Sequence, residues 1–173
     1  MPPKKVSETY TLKTELVLPN DTNNLGNLMG GKLLHWMDVI SAISAQRATR
    51  RTVVTKTVDF VEFKNSIPLG AIVILEAVVT RVFNTSVEVR VDVSYEILNT
   101  GEKKPSNTAY FTFVAVDQSG TPIPISQLDP ETEKEKNLYE EASRRRELRL
   151  LLAGRIEANQ AEFMKKLFEE YKK

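Results

Sequence analysis

The hydrophobic and polar positions along this chain change period twice. Between Leu33 and Ser44 the residues Leu33, Trp36, Met37, Ile40, Ile43 and Ser44 recur at the helical interval and share one side. That spacing predicts a helix packed on a core. The opposite side carries Gly31, Leu34, Asp38, Ala42 and Ala45. It is small and mostly apolar, so the helix is expected to be covered by protein on both sides. Elsewhere the period is two. Glu8–Leu18 alternates through Tyr10, Leu12, Leu16 and Leu18, and Thr52–Phe63, Ala71–Phe83, Ser86–Leu98 and Asn107–Val116 are rich in β-formers. In Ser86–Leu98 the pattern places Val87, Val89, Val91 and Val93 inward, with Glu88, Arg90, Asp92 and Ser94 outward. Turn formers separate the runs at Asn65–Gly70, Asn84–Thr85 and Asp117–Gly120, and Thr100–Pro105 reads as a polar connection. Residues 1–7 read as a loose tail. The order is thus strand, helix, then four strands. Short links between successive strands imply an antiparallel sheet, and one helix lying across it makes an α+β layer fold.

From Asp129 the pattern changes again. The segment is densely charged and rich in helix formers, opens with Pro130 and acids, and carries a broken apolar stripe of Leu148, Leu152, Ile156, Phe163, Leu167 and Tyr171. It predicts two amphipathic helices with Gly154 as a weak point. The expected organisation is a domain over residues 8–128 and a charged helical C-terminal extension over 129–173. A length of 173 residues suffices for one real core. A net charge of +1 gives no global field toward nucleic acid or a membrane surface, so an anionic ligand needs a local cluster. The absence of cysteine excludes disulfides, thiolate metal sites and a cysteine nucleophile, and is compatible with the cytoplasm. The start carries no apolar signal-like segment, and no run is long enough to cross a bilayer.

Candidate chemistry gathers where the helix begins. Asn20–Asn24 is a polar loop, Gly26 and Asn27 follow, and Gly30–Gly31 opens the helix. First-turn N–H groups lack intrahelical partners, the helix dipole adds positive charge there, and glycines let a ligand oxygen approach. An oxyanion site can be built in this way. Tight packing is the competing reading of the glycine pair. Asp38 would sit in a partly dry seam, where an ionised carboxylate is costly; a capped or ion-paired acid is its competing reading. His35, the one histidine, lies a turn before Asp38 and reads as a surface or seam residue. Ser41 and Ser44 have no histidine base in a recognisable triad.

The stretch NDTNNLGNLMGGKLLHWMD resembles the acyl-CoA thioester hydrolases of the hot-dog fold, the branch of short bacterial single-domain thioesterases and two-repeat cytosolic acyl-CoA hydrolases of animals. VVTKTVDFVEFKNSIPLG, RVFNTSVEV and AYFTFVAVDQSGTPIPISQLDPETEKEKNLYEEASRRRELRL extend the resemblance over about Tyr10 to Leu150. It implies an antiparallel sheet wrapped round one central helix, side-by-side homodimers in trimers of dimers, and active sites at the dimer seam. By the same resemblance Asp38 is general base or nucleophile, Asn27 holds water or the thioester oxygen, and Gly30 and Gly31 offer N–H groups to that oxygen. Lys56, Thr57, Val58, Thr85 and Ser86 meet CoA, and Arg145 or Arg146 holds its phosphates, with Arg50 and Arg51 as rivals. The implied reaction is cytoplasmic hydrolysis of acyl-CoA to a carboxylic acid and CoA, with no metal or redox cofactor and no nucleic-acid or membrane partner. A non-catalytic acyl-CoA or nucleotide-binding regulator is the alternative. A dehydratase is disfavoured by the placing of His35.

Overall fold

In the computed structural model the helical period becomes one helix of 20 residues, α1 (Gly30–Thr49). The described residues are 3–59 and 61–170, with 167–170 described by backbone alone; Met1, Pro2, Phe60 and residues 171–173 lie outside them. Leu33, Trp36, Met37, Ile40, Ser41, Ser44, Ala45 and Ala48 are buried. Ile43, which the pattern puts on the core stripe, is exposed. It stands about 100° round the helix from Ser44, past the edge of the covered arc. The helix ends at Arg50, held in the left-handed conformation (φ 53°) with its N–H on the Gln46 carbonyl at 2.8 Å.

The strands are β1 (Lys4–Lys5), β2 (Thr11–Leu16), β3 (Thr52–Asp59), β4 (Ile72–Val82), β5 (Ser86–Ile97), β6 (Glu102–Val116) and β7 (Leu128–Asp129). Five of them form one antiparallel sheet in the order β2-β4-β5-β6-β3, and β1 pairs with β7 in parallel. Strand β3 follows the helix yet ends at the far edge, beside β6. The inward rows Val73, Leu75, Ala77 and Val79, Val87, Val89 and Val91, and Ala109, Phe111, Phe113 and Ala115 are fully or almost fully buried, and α1 lies against strands β2 to β6. Each Val, Leu or Phe so buried is worth about 1.5–3 kcal/mol. The α+β architecture read from the period change is the one observed.

Four local expectations change. The start is no loose tail from Lys4 on. Val6 is buried, and the Thr9 hydroxyl donates to its carbonyl at 2.7 Å while accepting from Val79 N–H at 3.0 Å. Along β2 and its flanks the apolar row points away from α1, leaving Tyr10, Leu12, Leu16 and Leu18 exposed. Glu88 faces outward as predicted but is wholly buried, with Thr80 Oγ1 donating to its Oε1 at 2.7 Å. Thr100–Pro105 is largely strand: β6 starts at Glu102, and a register shift opposite Val93–Ser94 lets Pro105 sit in it.

The chain divides into two compact units, Met1–Asp129 and Pro130–Lys173. In the second, α2 (Glu133–Leu152) opens on a capping box in which Thr132 accepts from Glu135 N–H while Glu135 accepts from Thr132 N–H. It ends before Gly154 (φ 64°), and α3 (Glu162–Glu170) follows. Glu147 Oε1 accepts from the N–H groups of Phe163 and Met164, and the Arg144 guanidinium lies 4.7 Å from the Phe163 ring centre. Both predicted helices are therefore present. Tyr171 and the Leu167 side chain of the predicted stripe lie outside the described residues.

Candidate active site

The loop before α1 is fastened to the helix it precedes. Buried Asp21 accepts from Leu18 N–H at 3.2 Å and meets Lys32 Nζ at 3.0 Å, while its carbonyl accepts from Met29 N–H at 2.9 Å. Lys32 also lies 5.6 Å from the Trp36 ring centre. The hydrogen bond from Lys32, reinforced by that from Leu18, holds the Asp21 carboxyl below the usual carboxylate range. Within the loop Asn23 Oδ1 accepts from Leu25 N–H at 2.9 Å and Asn27 N–H at 3.2 Å, and Gly26 takes φ 72°. With its carbonyl oxygen fixed on the backbone, the Asn23 amide has its NH2 end to offer. That end has no protein partner among the described residues. Asn27 is half-buried and bridges through its backbone to Pro68.

Gly30 and Gly31 form the first turn, over the Met29 carbonyl that accepts from Lys32 and Leu33 N–H groups. They are not equivalent. A methyl group on Gly30 would meet the Phe63 ring at 3.3–3.6 Å, whereas one on Gly31 would have nothing within 4 Å. Neither has a positive φ. Gly31 is thus a glycine that no neighbour demands.

Asp38 is half-buried in the middle of α1, and Thr55 Oγ1 donates to its Oδ1 at 2.8 Å. That contact depends on the register of β3. Thr55 lies opposite Phe113 and Val58 opposite Phe111, with Lys56 as the extra residue of a bulge between Thr55 and Thr57. The bulge keeps Thr55 and Val58 both on the helix side and leaves Lys56 unpaired at the open edge. Thr57, opposite Thr112, faces the other way, and its buried hydroxyl has no hydrogen-bond partner among the described residues. Ser86 is opposite Val114, which is opposite Val54, so Thr85 and Ser86 lie two strands in from β3, about 10 Å away. The first unit therefore carries Asp38 and Val58 on the helix side of the β3 edge and Lys56 at that edge, Thr57 and Ser86 on the outer face of the sheet with Thr85 just before Ser86, and Asn27, Gly30 and Gly31 at the start of α1. Arg145 and Arg146 stand on α2, in the second unit, and the first unit's fold does not position them. Arg50 and Arg51, with Arg47, line a separate cleft of about 440 Å³ at the C-terminal end of α1. His35 is exposed. Sequence reasoning missed Thr55 and Phe63. The only signal for either was membership of a β-rich run.

Residues 25–100 match the family model of the thioesterase superfamily. An uncharacterized acyl-CoA thioester hydrolase of Bacillus subtilis is 44% identical over 138 residues, 80% of each chain. The solved structure of an apo, hexameric acyl-CoA thioesterase superposes with a TM-score of 0.85 at 43% identity, covering 88% of this chain and 98% of that one. The acyl-CoA hydrolase from Staphylococcus aureus, solved with butyryl coenzyme A, coenzyme A and coenzyme A disulfide, has a TM-score of 0.80 at 31% identity over 98% of both chains. Variants of that hydrolase have been solved with an aspartate, an asparagine fifteen positions before it, or a threonine seventeen positions after it changed to alanine. This chain belongs to the acyl-CoA thioester hydrolases of the thioesterase superfamily and has their hot-dog fold. Among the described residues, no three His, Asp or Glu side chains are grouped to hold a metal ion, and no helix is long and apolar enough to cross a membrane.

Proposed function

We propose that two copies of the chain, meeting along the β3 edge, hydrolyse acyl-CoA thioesters to a carboxylic acid and free CoA at a shared site. The carrying observation is a separation. Asp38 lies eight residues beyond Gly30 on one continuous helix, about 12 Å along the axis at about 1.5 Å per residue. The acid and the helix N-terminus of one copy cannot reach the same thioester carbonyl. Two antiparallel copies of α1 bring the N-terminus of one beside Asp38 of the other. The edge position of β3, with Val54 and Val58 exposed on it, supports that pairing.

The spacing of the residues changed in the Staphylococcus aureus hydrolase is repeated here by Asn23, Asp38 and Thr55. The role that the resemblance gave to Asn27 therefore passes to Asn23, with Asn27 closing the loop that aims it. Thr55 occupies Oδ1 of Asp38 and leaves Oδ2 to take a proton from water, whose oxygen attacks the thioester carbon. Charge on the carbonyl oxygen is met by the Gly30 and Gly31 N–H groups and the Asn23 NH2 of the other copy. The C–S bond then breaks, and the departing CoA thiolate takes the proton back from Asp38. The scheme uses no metal or redox cofactor. Lys56, Thr57, Val58, Thr85 and Ser86 hold the CoA portion, and Arg145 and Arg146 its phosphates. The copies assemble further as trimers of dimers.

The test is release of free thiol, which is unambiguous because the chain has no cysteine. Asp38→Asn and Asn23→Ala should each lose turnover but keep CoA binding. Co-expressed, the two variants should recover about a quarter of wild-type activity, since random pairing restores one intact site in each mixed dimer. A mixture that binds CoA and stays inactive would exclude the shared site. Wild type that binds CoA without turnover at any chain length would leave a binding protein.

A further inference from the structure

The segment between β3 and β4 carries an aromatic ring that the mechanism above does not use. Phe63 is 51% exposed, yet the far end of its ring lies against the Gly30 backbone, close enough that a methyl there would come within 3.3 Å of Cζ and 3.4 Å of Cε2. Its segment is held on either side. On one flank is β3, which carries Thr55 and Val58. On the other, Asn65 Nδ2 donates to the Pro105 carbonyl at 3.0 Å, buried Ile67 is set into the core, and its carbonyl accepts from Leu28 N–H at 2.8 Å. The neighbours Glu62 and Lys64 line a different, polar cleft, which Phe63 does not line. The ring is therefore positioned over the first helical turn, with about half of its surface left uncovered.

We propose that Phe63 forms the first wall of the acyl pocket and sets how turnover depends on chain length. The inference rests on the acyl-CoA hydrolase reading. A carbonyl oxygen held by the Gly30 and Gly31 N–H groups leaves the thioester carbon with two arms. One is sulfur leading into pantetheine, which is rich in amides; the other is the hydrocarbon chain. An uncovered aromatic face gains by burying the hydrocarbon and would strip water from the amides without replacing it. The ring therefore lies along the acyl arm. Glycine at position 30 then serves the ring as well, because a methyl there would crowd Phe63 at 3.3 Å and press the ring back from the turn by a few tenths of an ångström.

The experiment compares wild type, Phe63→Ala and Phe63→Leu in two readouts. One is kcat/KM for acetyl-, butyryl-, hexanoyl- and decanoyl-CoA. The other is calorimetric affinity for CoA and for S-ethyl-, S-hexyl- and S-decyl-CoA thioethers, which need no turnover. Each methylene buried is worth about a fourfold gain. Phe63→Ala should therefore cost roughly tenfold for chains of four carbons and longer, leave acetyl-CoA turnover and CoA affinity near wild type, and be largely rescued by leucine. A loss equal at every length, or one that extends to CoA itself, would overturn the proposal and make the ring a brace for the helix end. The thioether series decides the matter even if the wild type proves not to hydrolyse, because the affinity gain from ethyl to hexyl should still fall by about tenfold in Phe63→Ala.

Discussion

Gly31 shows most plainly what a single position can reveal. It is helical, its φ is ordinary, and a methyl group on it would touch nothing. Alanine is favoured over glycine within a helix by up to about 1 kcal/mol, so the glycine is kept against stability. Gly31→Ala should melt at the same temperature as wild type or higher while losing at least tenfold in kcat/KM, because the methyl would stand where a carbonyl oxygen has to come. Undiminished turnover would remove the helix N-terminus from the mechanism. Thr55→Val should likewise fold and lose turnover by about tenfold or more, with Thr55→Ser retaining most of it, since only the hydroxyl reaches Asp38. Thiol release and thermal melts check both. Asp38 and the glycine pair, which the proposed site uses, stand out in the sequence because acid and glycine are out of place in an apolar helical run. Thr55 does not, because its meeting with Asp38 depends on the β3–β6 register and a bulge at Lys56, neither of which leaves a mark in composition. The proposed role of Asn23 in place of Asn27 was equally hidden. Their side chains are chemically identical, and they differ in their spacing from Asp38 and in the backbone N–H groups from which Asn23 Oδ1 accepts.

The loop and first turn of α1 behave as one element because Asp21 ties them together through Leu18, Met29 and Lys32. Lys32 holds the Asp21 carboxyl below its ordinary range, so the folded chain binds that proton less readily than the unfolded chain does. The resulting stabilisation is complete above the unfolded carboxylate value of about 3.9 and is lost as pH falls from there through the lower folded value. Thermal melts from neutral to acid pH should therefore show wild type losing more of its midpoint below about pH 4 than Asp21→Asn, which starts lower at neutral pH. Parallel curves would mean that the pair contributes nothing. At this scale most elements were legible, since a helical period flanked by alternating runs admits few arrangements. The failures have physical causes. Strand β6 was read short because Pro105 and its polar neighbours look like a connection until a register shift accommodates them. Strand β1 has only two residues and pairs with β7 near residue 128, so no local pattern marks it.

Taken alone, the whole chain leaves surfaces that water covers poorly. Among the described residues strand β3 presents an unpaired sheet edge with Val54 and Val58 exposed, and β2 turns Leu12 and Leu16 outward, with Leu18 exposed just beyond it. An exposed, apolar sheet edge invites pairing with another chain. A closed hexamer built as three dimers requires two kinds of contact, so one edge would not suffice for it. Assembly was expected only through the family resemblance, because the alternation that marks β2 as a strand does not say which row faces the helix. The division of labour proposed here gives a direct prediction. If β3 is the seam at which Asp38 meets the other copy's helix N-terminus, replacing both Val54 and Val58 by Asp places like charges across the two-fold axis and desolvates them on pairing. Sedimentation should then show a smaller species that keeps its far-ultraviolet circular dichroism but loses turnover by at least a hundredfold, and Val54→Asp alone, which spares the CoA contact proposed for Val58, should shift both readouts in the same direction. Leu12→Asp with Leu16→Asp, on the opposite edge, should reduce the assembly no further than dimers and leave turnover per chain largely unchanged. Loss of activity from the β2 pair with none from the β3 pair would move the shared site to the other edge of the sheet and, with it, the partner that completes Asp38.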